Sequence, residues 1–386
     1  MNFDPSDDQR LLRDSIDRLI ALESDMAHRR RGAALPDGWS RELWEKFAAL
    51  GFLGLPFAEA DGGIGGGPAE TMIVMEALGR GLVLEPYFAT VVLGGACLRL
   101  GAPAALRAEL VPRIAAGSLL LAFGWTERQS RYDPVDVTTT ARRDGGSWIL
   151  NGAKSLVMHG DVADKIIVTA RVAGGPRERA GLGVFLVDGA SAGLRRTAYR
   201  SQDGIGAAEI TLEDVRVDAQ FVLGEPGNDA ALIERVLDEA IAARCAEAVG
   251  VMAAMQRLTV DHLKTRRQFG RPIGDFQALQ HRAVDQLIAL ELARSMALLA
   301  AMMVDAPDAA ERRRTIAAAK VQIGRSGRRI GEEAIQLHGG IGMTMEYEVG
   351  HYFKRMTLID RSFGDADWQL AALARAGGLF VDDDGD

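Results

Sequence analysis

The chain has 386 residues, of which 48% are hydrophobic and 25% charged, with a formal net charge of −8. That is too apolar for a disordered chain, and at roughly 150 residues per domain it predicts two to three domains. No basic run with interleaved aromatics occurs, which argues against nucleic acid as a partner, and two cysteines, Cys97 and Cys245, exclude a disulfide scaffold or a cysteine zinc site.

The start, MNFDPSDDQRLLRDS, carries acids where a secretory signal needs a basic and then an apolar stretch. No segment reaches the ~18 consecutive apolar residues of a membrane span. The expectation is a soluble protein of a reducing cytoplasm, with neither membrane nor nucleic acid as partner.

Residues 1–119 read as a helical domain. Asp4-Pro5-Ser6 can cap a first helix, in which Leu11, Leu12, Ile16, Leu19 and Ile20 recur at helical spacing. Trp44, Phe47, Leu50 and Leu53 predict a second apolar face. Gly62–Gly67 is a glycine-rich loop between helices, without the preceding strand a dinucleotide fingerprint needs, so a plain turn is the better reading. Helices are expected over 70–81, 86–100 and 103–117.

The period changes over 120–228. Ser147–Gly152, Lys165–Ala170, Gly183–Val187 and Glu209–Leu212 are short β-rich runs between turns. They predict a small antiparallel barrel or sandwich. Residues 229–386 return to long helical stretches, punctuated at Pro272 and Gly339-Gly340 and ending in an acidic tail, and read as a four-helix bundle. The fold class is therefore α+β: helices, a small β domain, a helical bundle.

The six histidines form no H-E-x-x-H or other close metal-ligand pair and read as surface or hydrogen-bonded helical residues. There is no G-x-S-x-G elbow and no P-loop. Two segments stand out. Lys264–His281 runs from a basic helix end through Gly270-Arg271-Pro272 to a restart behind Asp275, and a guanidinium there suits a diphosphate. A solvated basic helix end is the plainer alternative. Gln336–Tyr347 places paired glycines at a helix end, which allows either close approach of backbone to a ligand or a simple C-cap.

These segments together resemble the acyl-CoA dehydrogenase family. They read Arg266…Phe269-Gly270…Ile273…Gln277 and Gln336…Gly339-Gly340…Gly342…Glu346-Tyr347, with Leu55-Pro56…Gly62-Gly63…Gly65 upstream. Segments 347–355 and 363–367 look closest to the small subunit of bacterial pimeloyl-CoA dehydrogenases. The resemblance implies FAD, a dimer or tetramer, an electron-transfer flavoprotein as acceptor, and α,β-dehydrogenation of an acyl-CoA thioester. It implies a cofactor-binding set of Arg266, Gln268, Phe269, Gln277, Gln336, Gly339, Gly340 and Thr126. In the family, positions matching Arg266, Gln277, Gln336 and Gly340 reach the FAD of the neighbouring subunit.

Three family features are absent. The usual base, a Glu before Gly, falls on Phe363, with Asp365 two residues later. The other position some members use, on the first C-terminal helix, falls on Ala240, with Glu239 beside it but rotated about 100°. The flavin-facing K-x-W-I-[ST]-N reads Lys154–His159, without Trp or hydroxyl, and of T-E-P-x-x-G-S-D only Thr126-Glu127 survives. What serves a neighbour's FAD is kept and what serves the chain's own flavin is lost. The favoured expectation is a heteromeric enzyme whose homologous large subunit supplies the base. A self-sufficient homo-oligomer using Glu239 or Asp365, and an acyl-CoA-binding homologue without chemistry, are the alternatives.

Overall fold

The computed structural model describes residues 5–378. Asp4 and the acidic tail at 381–386, named above, lie outside the described residues. The chain divides into two compact units. One comprises Met1–Arg30, Pro68–Val83 and Ile241–Asp386, the other Arg31–Gly67 and Leu84–Ala240.

The first unit is helical. Helix α1 (Asp7–Glu23) starts with a capping box: the Ser6 hydroxyl accepts from the Gln9 amide while the Gln9 side chain accepts from the Ser6 N–H. Ile16 and Ile20 are its buried stripe. Helix α2 (Met26–Ala33) follows, then α3 (Arg41–Ala49) in the second unit, and α4 (Pro68–Arg80), back in the first, packs on α1. Ser6→Ala removes the cap and is expected to cost about 1 kcal/mol, read as a lower urea midpoint at unchanged m.

The second unit holds α3 and a buried π-helix at Phe88–Gly94 that continues into α5 (Gly95–Gly101), then α6 (Ala104–Ala115). Trp44, Phe47 and Leu53 are buried as expected, but Leu50 is 48% exposed: it caps the C-terminus of α3, where the chain turns away from the core. The Gly62–Gly67 loop is a self-bonded turn. The N–H groups of Gly63, Ile64, Gly65 and Gly66 donate to Ala58, Gly54, Phe57 and Leu55, so none is left for a phosphate.

Eight strands follow: β1 (Leu121–Gly124), β2 (Thr140–Asp144), β3 (Ser147–Met158), β4 (Lys165–Arg171), β5 (Leu182–Asp188), β6 (Leu194–Arg200), β7 (Gly206–Asp218) and β8 (Val222–Gly227). Their order is β6-β7-β3-β2-β4-β5-β8, with β1 beside β4. The sheet is mixed rather than purely antiparallel, because β1 pairs β4 in parallel and β2 touches it in parallel at Thr140. Leu150, Ile166, Val168, Phe185, Ile210 and Leu212 build its core.

Helix α7 (Ala230–Thr265) contributes its first part, to Ala240, to the second unit and the rest to the first. Gly79 and Gly250 let α4 and α7 approach: a Cβ on either would lie about 2 Å from a carbonyl oxygen of the other helix. A two-stranded hairpin, β9 (Arg267–Gln268) and β10 (Arg271–Pro272), leads to α8 (Gln277–Met303). Then come α9 (Ala309–His338), α10 (Val349–Arg361) and α11 (Ala366–Arg375). Phe276, not Asp275, stands at the N-cap of α8 and makes no side-chain cap bond.

Candidate functional site

The basic segment is a tight hairpin. Phe269 and Gly270 sit at its tip with φ of 53° and 82°, the two positive values a type I′ turn requires. Phe269 is 90% exposed and meets Phe276 edge-on at 6.0 Å; the Arg271 guanidinium lies over Phe276 at 4.2 Å. The Arg266 N–H follows α7's ladder to His262, and its carbonyl accepts from Ile273. Its side chain is exposed and has no hydrogen-bond or ion-pair partner among the described residues. Gln268 folds back on the Arg267 carbonyl, so its amide is turned to its own backbone.

The glycine segment meets this hairpin at one end of the helical unit. His262, one turn before Arg266, stacks on His338 with ring centroids 4.6 Å apart, and His338 contacts the Tyr347 ring at 4.9 Å. Burial holds both imidazoles below their ordinary pKa, and the His338 ring and the Arg266 guanidinium lower His262 further. The start of α8 lies at the same end, because Arg282 binds Glu333 at 2.6 Å across the antiparallel α8–α9 pair. Arg266, Gln277, Gln336 and the Gly339-Gly340 turn are thereby gathered. The Gln277 and Gln336 amides have no partner among the described residues. Gly339 has φ of 62°, and a Cβ at Gly339 or Gly340 would meet nothing within 4 Å. This is an open cradle of unused donors beside a cation, and it fits a diphosphate and its nucleoside.

The β unit is built differently. Strand β1 delivers Thr126, whose carbonyl accepts from the Ser155 N–H at 2.9 Å and whose half-buried hydroxyl is unpaired among the described residues. Glu127 next to it is 3% exposed. It accepts Lys154 Nζ at 2.6 Å, the Thr138 and Thr139 N–H groups and the Gln129 amide. Burial alone would raise the Glu127 pKa, but the Lys154 ammonium and these hydrogen bonds pull it down to about 2. Burial presses Lys154 down to about 8, against the pull of Glu127. The pair is therefore ionised at neutral pH.

In the Lys154–His159 stretch, Leu156 is 57% exposed at φ 53°, its N–H held by the Glu209 carboxylate. His159 is buried with Nε2 3.0 Å from the Leu84 carbonyl. An aliphatic Leu156 offers no aromatic face, and Met158 no hydroxyl, so these positions fit a flavin ring poorly.

The two carboxylates nearest the family's base positions are both engaged. Glu239 is 9% exposed between Arg99, which it binds directly, and Arg235 at 3.6 Å. Ala240 is fully buried. Asp365 is the N-cap of α11, its Oδ1 accepting the Trp368 N–H at 2.9 Å. Phe363 is buried at φ 58°, and its carbonyl accepts from Gln369. Lys320, wholly buried, donates to the Ile359 and Asp360 carbonyls and ties down the approach to this loop. As a cap, Asp365→Ala should cost about 1 kcal/mol of stability and change turnover less than tenfold; a loss of several orders of magnitude would instead make it the base.

Family models describing the N-terminal, middle and C-terminal domains of acyl-CoA dehydrogenases match residues 6–118, 122–215 and 230–378. The acyl-CoA dehydrogenase FadE12 of Mycobacterium tuberculosis is 31% identical over 311 residues, 80% of each chain.

The chain belongs to the acyl-CoA dehydrogenase family.

Its fold is that of the family, with helical, β and helical domains in order, and the family's chemistry is flavin-dependent oxidoreduction at a CH–CH bond with FAD as cofactor. A chain of the ChsE4–ChsE5 complex from Mycobacterium tuberculosis superposes with TM-score 0.87 at 26% identity, covering 97% of this chain and 98% of that one. The FAD complex of PigA superposes with TM-score 0.89 at 26% identity, covering 98% and 100%.

Sequence reasoning did not reach the buried charges. Motif reading singles out Glu127, Lys154 and Glu239 but not the pairing of Glu127 with Lys154 or of Glu239 with Arg99, and it misses Lys320, because nothing local marks a charge as buried. The nearest signal is Lys320 itself, a lone cation in the apolar run AAAKVQIG.

Proposed function

We propose that this chain is a subunit of an FAD-dependent acyl-CoA dehydrogenase that completes the FAD site of a homologous larger partner. The observation that carries the reading is a contrast. Arg266, Gln277, Gln336 and Gly339-Gly340 are exposed and unused, whereas the positions for the base and flavin ring hold Phe363, Ala240 and Leu156. FAD, when bound, accepts the substrate's β-hydrogen as hydride while a carboxylate takes the α-proton. In this proposal the partner supplies that carboxylate, and Arg266 binds the diphosphate while Gln277, Gln336 and the glycine turn orient the adenosine.

A partner surface supports the reading. On α8, Val284, Leu287, Ile288 and Leu292 recur at i, i+3, i+4 and i+8, each 45–54% exposed. The helix is long and apolar enough to cross a bilayer by length and composition. Its charged neighbours Arg282, Asp285 and Glu291 favour another protein chain over lipid, and in this reading the helix packs on the partner. The ChsE4–ChsE5 structure is of a complex between two named proteins. A dicarboxylyl-CoA such as pimeloyl-CoA is the proposed substrate, an electron-transfer flavoprotein the acceptor, and the cytoplasm the location.

The test is the visible spectrum of the chain alone and co-expressed with its homologous partner. The expected result is a colourless chain and a yellow complex that bleaches with acyl-CoA. A chain that alone holds stoichiometric flavin and bleaches overturns the proposal in favour of a self-sufficient homo-oligomer. In the complex, Arg266→Met should weaken FAD retention roughly 10- to 100-fold, the value of about 1.5–3 kcal/mol for a charge-assisted bond. Flavin content after dialysis checks it.

A further inference from the structure

The helical unit holds a cavity of about 280 Å³ between α1, α4, α7 and α8, which contains none of the residues discussed above as cofactor or base positions. Met72, Ile73, Val249, Ala297, Leu298 and Met302 form apolar walls. The polar groups are Gln9, Arg13, Glu76 and Arg294. From Arg294 to Met302 the wall runs along α8 for eight residues, about 12 Å. An extended chain of roughly eight carbons, about 9 Å long, fits along it with room for a polar head. The volume equals about nine waters, yet the walls offer few partners for them.

The polar end carries an incompletely used cation. Glu76 is 5% exposed and binds Arg294 at 2.6 Å; Arg80 lies 3.7 Å from it and pairs with Asp17 at 2.9 Å. Arg294 also stands 3.7 Å from the exposed Glu291. Arg13 has only Glu76, at 3.7 Å, beyond hydrogen-bond length, and no hydrogen bond among the described residues. Its donors face a cavity whose one buried carboxylate is already bonded to Arg294. A second carboxylate entering the cavity would complete Arg13 with a bidentate pair.

We propose that this cavity binds an aliphatic carboxylate of about eight carbons, its head on Arg13 and its chain along the Met72–Leu298 walls. The site lies apart from the cofactor-facing groups and takes a free monocarboxylic acid rather than its thioester, because forming the thioester removes the one charged head that meets the guanidinium.

The probe is octanoate, titrated calorimetrically into the purified full-length chain, with octanol as the uncharged control. Saturable binding of one octanoate per chain is expected, with octanol at least tenfold weaker. Arg13→Met should weaken octanoate about tenfold and leave octanol unchanged. Ala297→Leu fills the slot and should abolish both; if its melting shows a folding defect, Met72→Phe serves instead. No saturable octanoate binding, equal binding of octanol, indifference to Arg13→Met and a cavity-filling variant, or full competition by an acyl-CoA would each overturn the proposal.

Discussion

Glu247→Ala is expected to destabilise the chain by about 3–5 kcal/mol, the range for removing one partner of a buried ion cluster. Glu247 on α7 is 5% exposed, and its partners Arg244 and Arg355 are 3% and 8% exposed. Its Oε1 accepts Arg355 Nε at 2.7 Å, and its Oε2 binds Arg244. Burial alone would raise the carboxyl pKa, but the two guanidiniums hold it below its ordinary value. Truncation leaves both cations buried without this carboxylate and removes its link between α7 and α10. Glu247→Gln should cost less, since it keeps the shape and two hydrogen-bonding atoms. Chemical denaturation with m checked for constancy reads the effect. A loss under 1 kcal/mol would mean that water or other groups compensate the cluster.

The second large effect is acid lability of the β unit. Glu127 has a folded-state pKa of about 2 against an ordinary 4.5, so its folded value is depressed. The unfolded chain then binds the proton more readily, and the stabilisation is complete above pH 4.5 and lost as pH falls through 4.5 toward 2. The loss integrates to roughly 3 kcal/mol. Lys154 acts with the same sign but only at high pH: its folded value of about 8 lies under 10.5, so stability rises with pH between those limits. Glu127→Gln should flatten the acid limb and lower stability at neutral pH, because burial then acts on Lys154 without the anion that supports its charge. A pH series of denaturation midpoints for both proteins checks this. An unchanged acid limb in Glu127→Gln would assign acid lability to other groups, Glu247 among them.

Much of the fold was legible because it is local. Ser6 capped α1, the Gly62–Gly67 run made a turn, and Lys165–Ala170 and Gly183–Val187 became central strands, since buried strands are continuous apolar runs. Strand β6 escaped notice for the converse reason. It is an edge strand reading LRRTAYR, largely exposed, so it has no apolar signal. Strands β1 and β2 escaped as well, β1 because four residues carry too little period. Leu50 matched a helical stripe but lies where α3 ends, and a spacing argument holds only while the helix continues.

The hairpin at 267–272 and the Gly339-Gly340 turn were equally legible, because such geometry is written in consecutive residues. The sequence by itself determined the helix, sheet, helix order, the positions of Arg266, Gln277, Gln336 and Gly339-Gly340, and the absence of a carboxylate at positions 363 and 240. Only the tertiary structure decided which carboxylates are already spent. Glu239 lies 140 residues from its partner Arg99, Glu127 lies 27 from Lys154, and Glu247 lies 108 from Arg355. Local propensity cannot pair charges across such distances; the packing that buries them does, by making an unpaired charge too costly to keep.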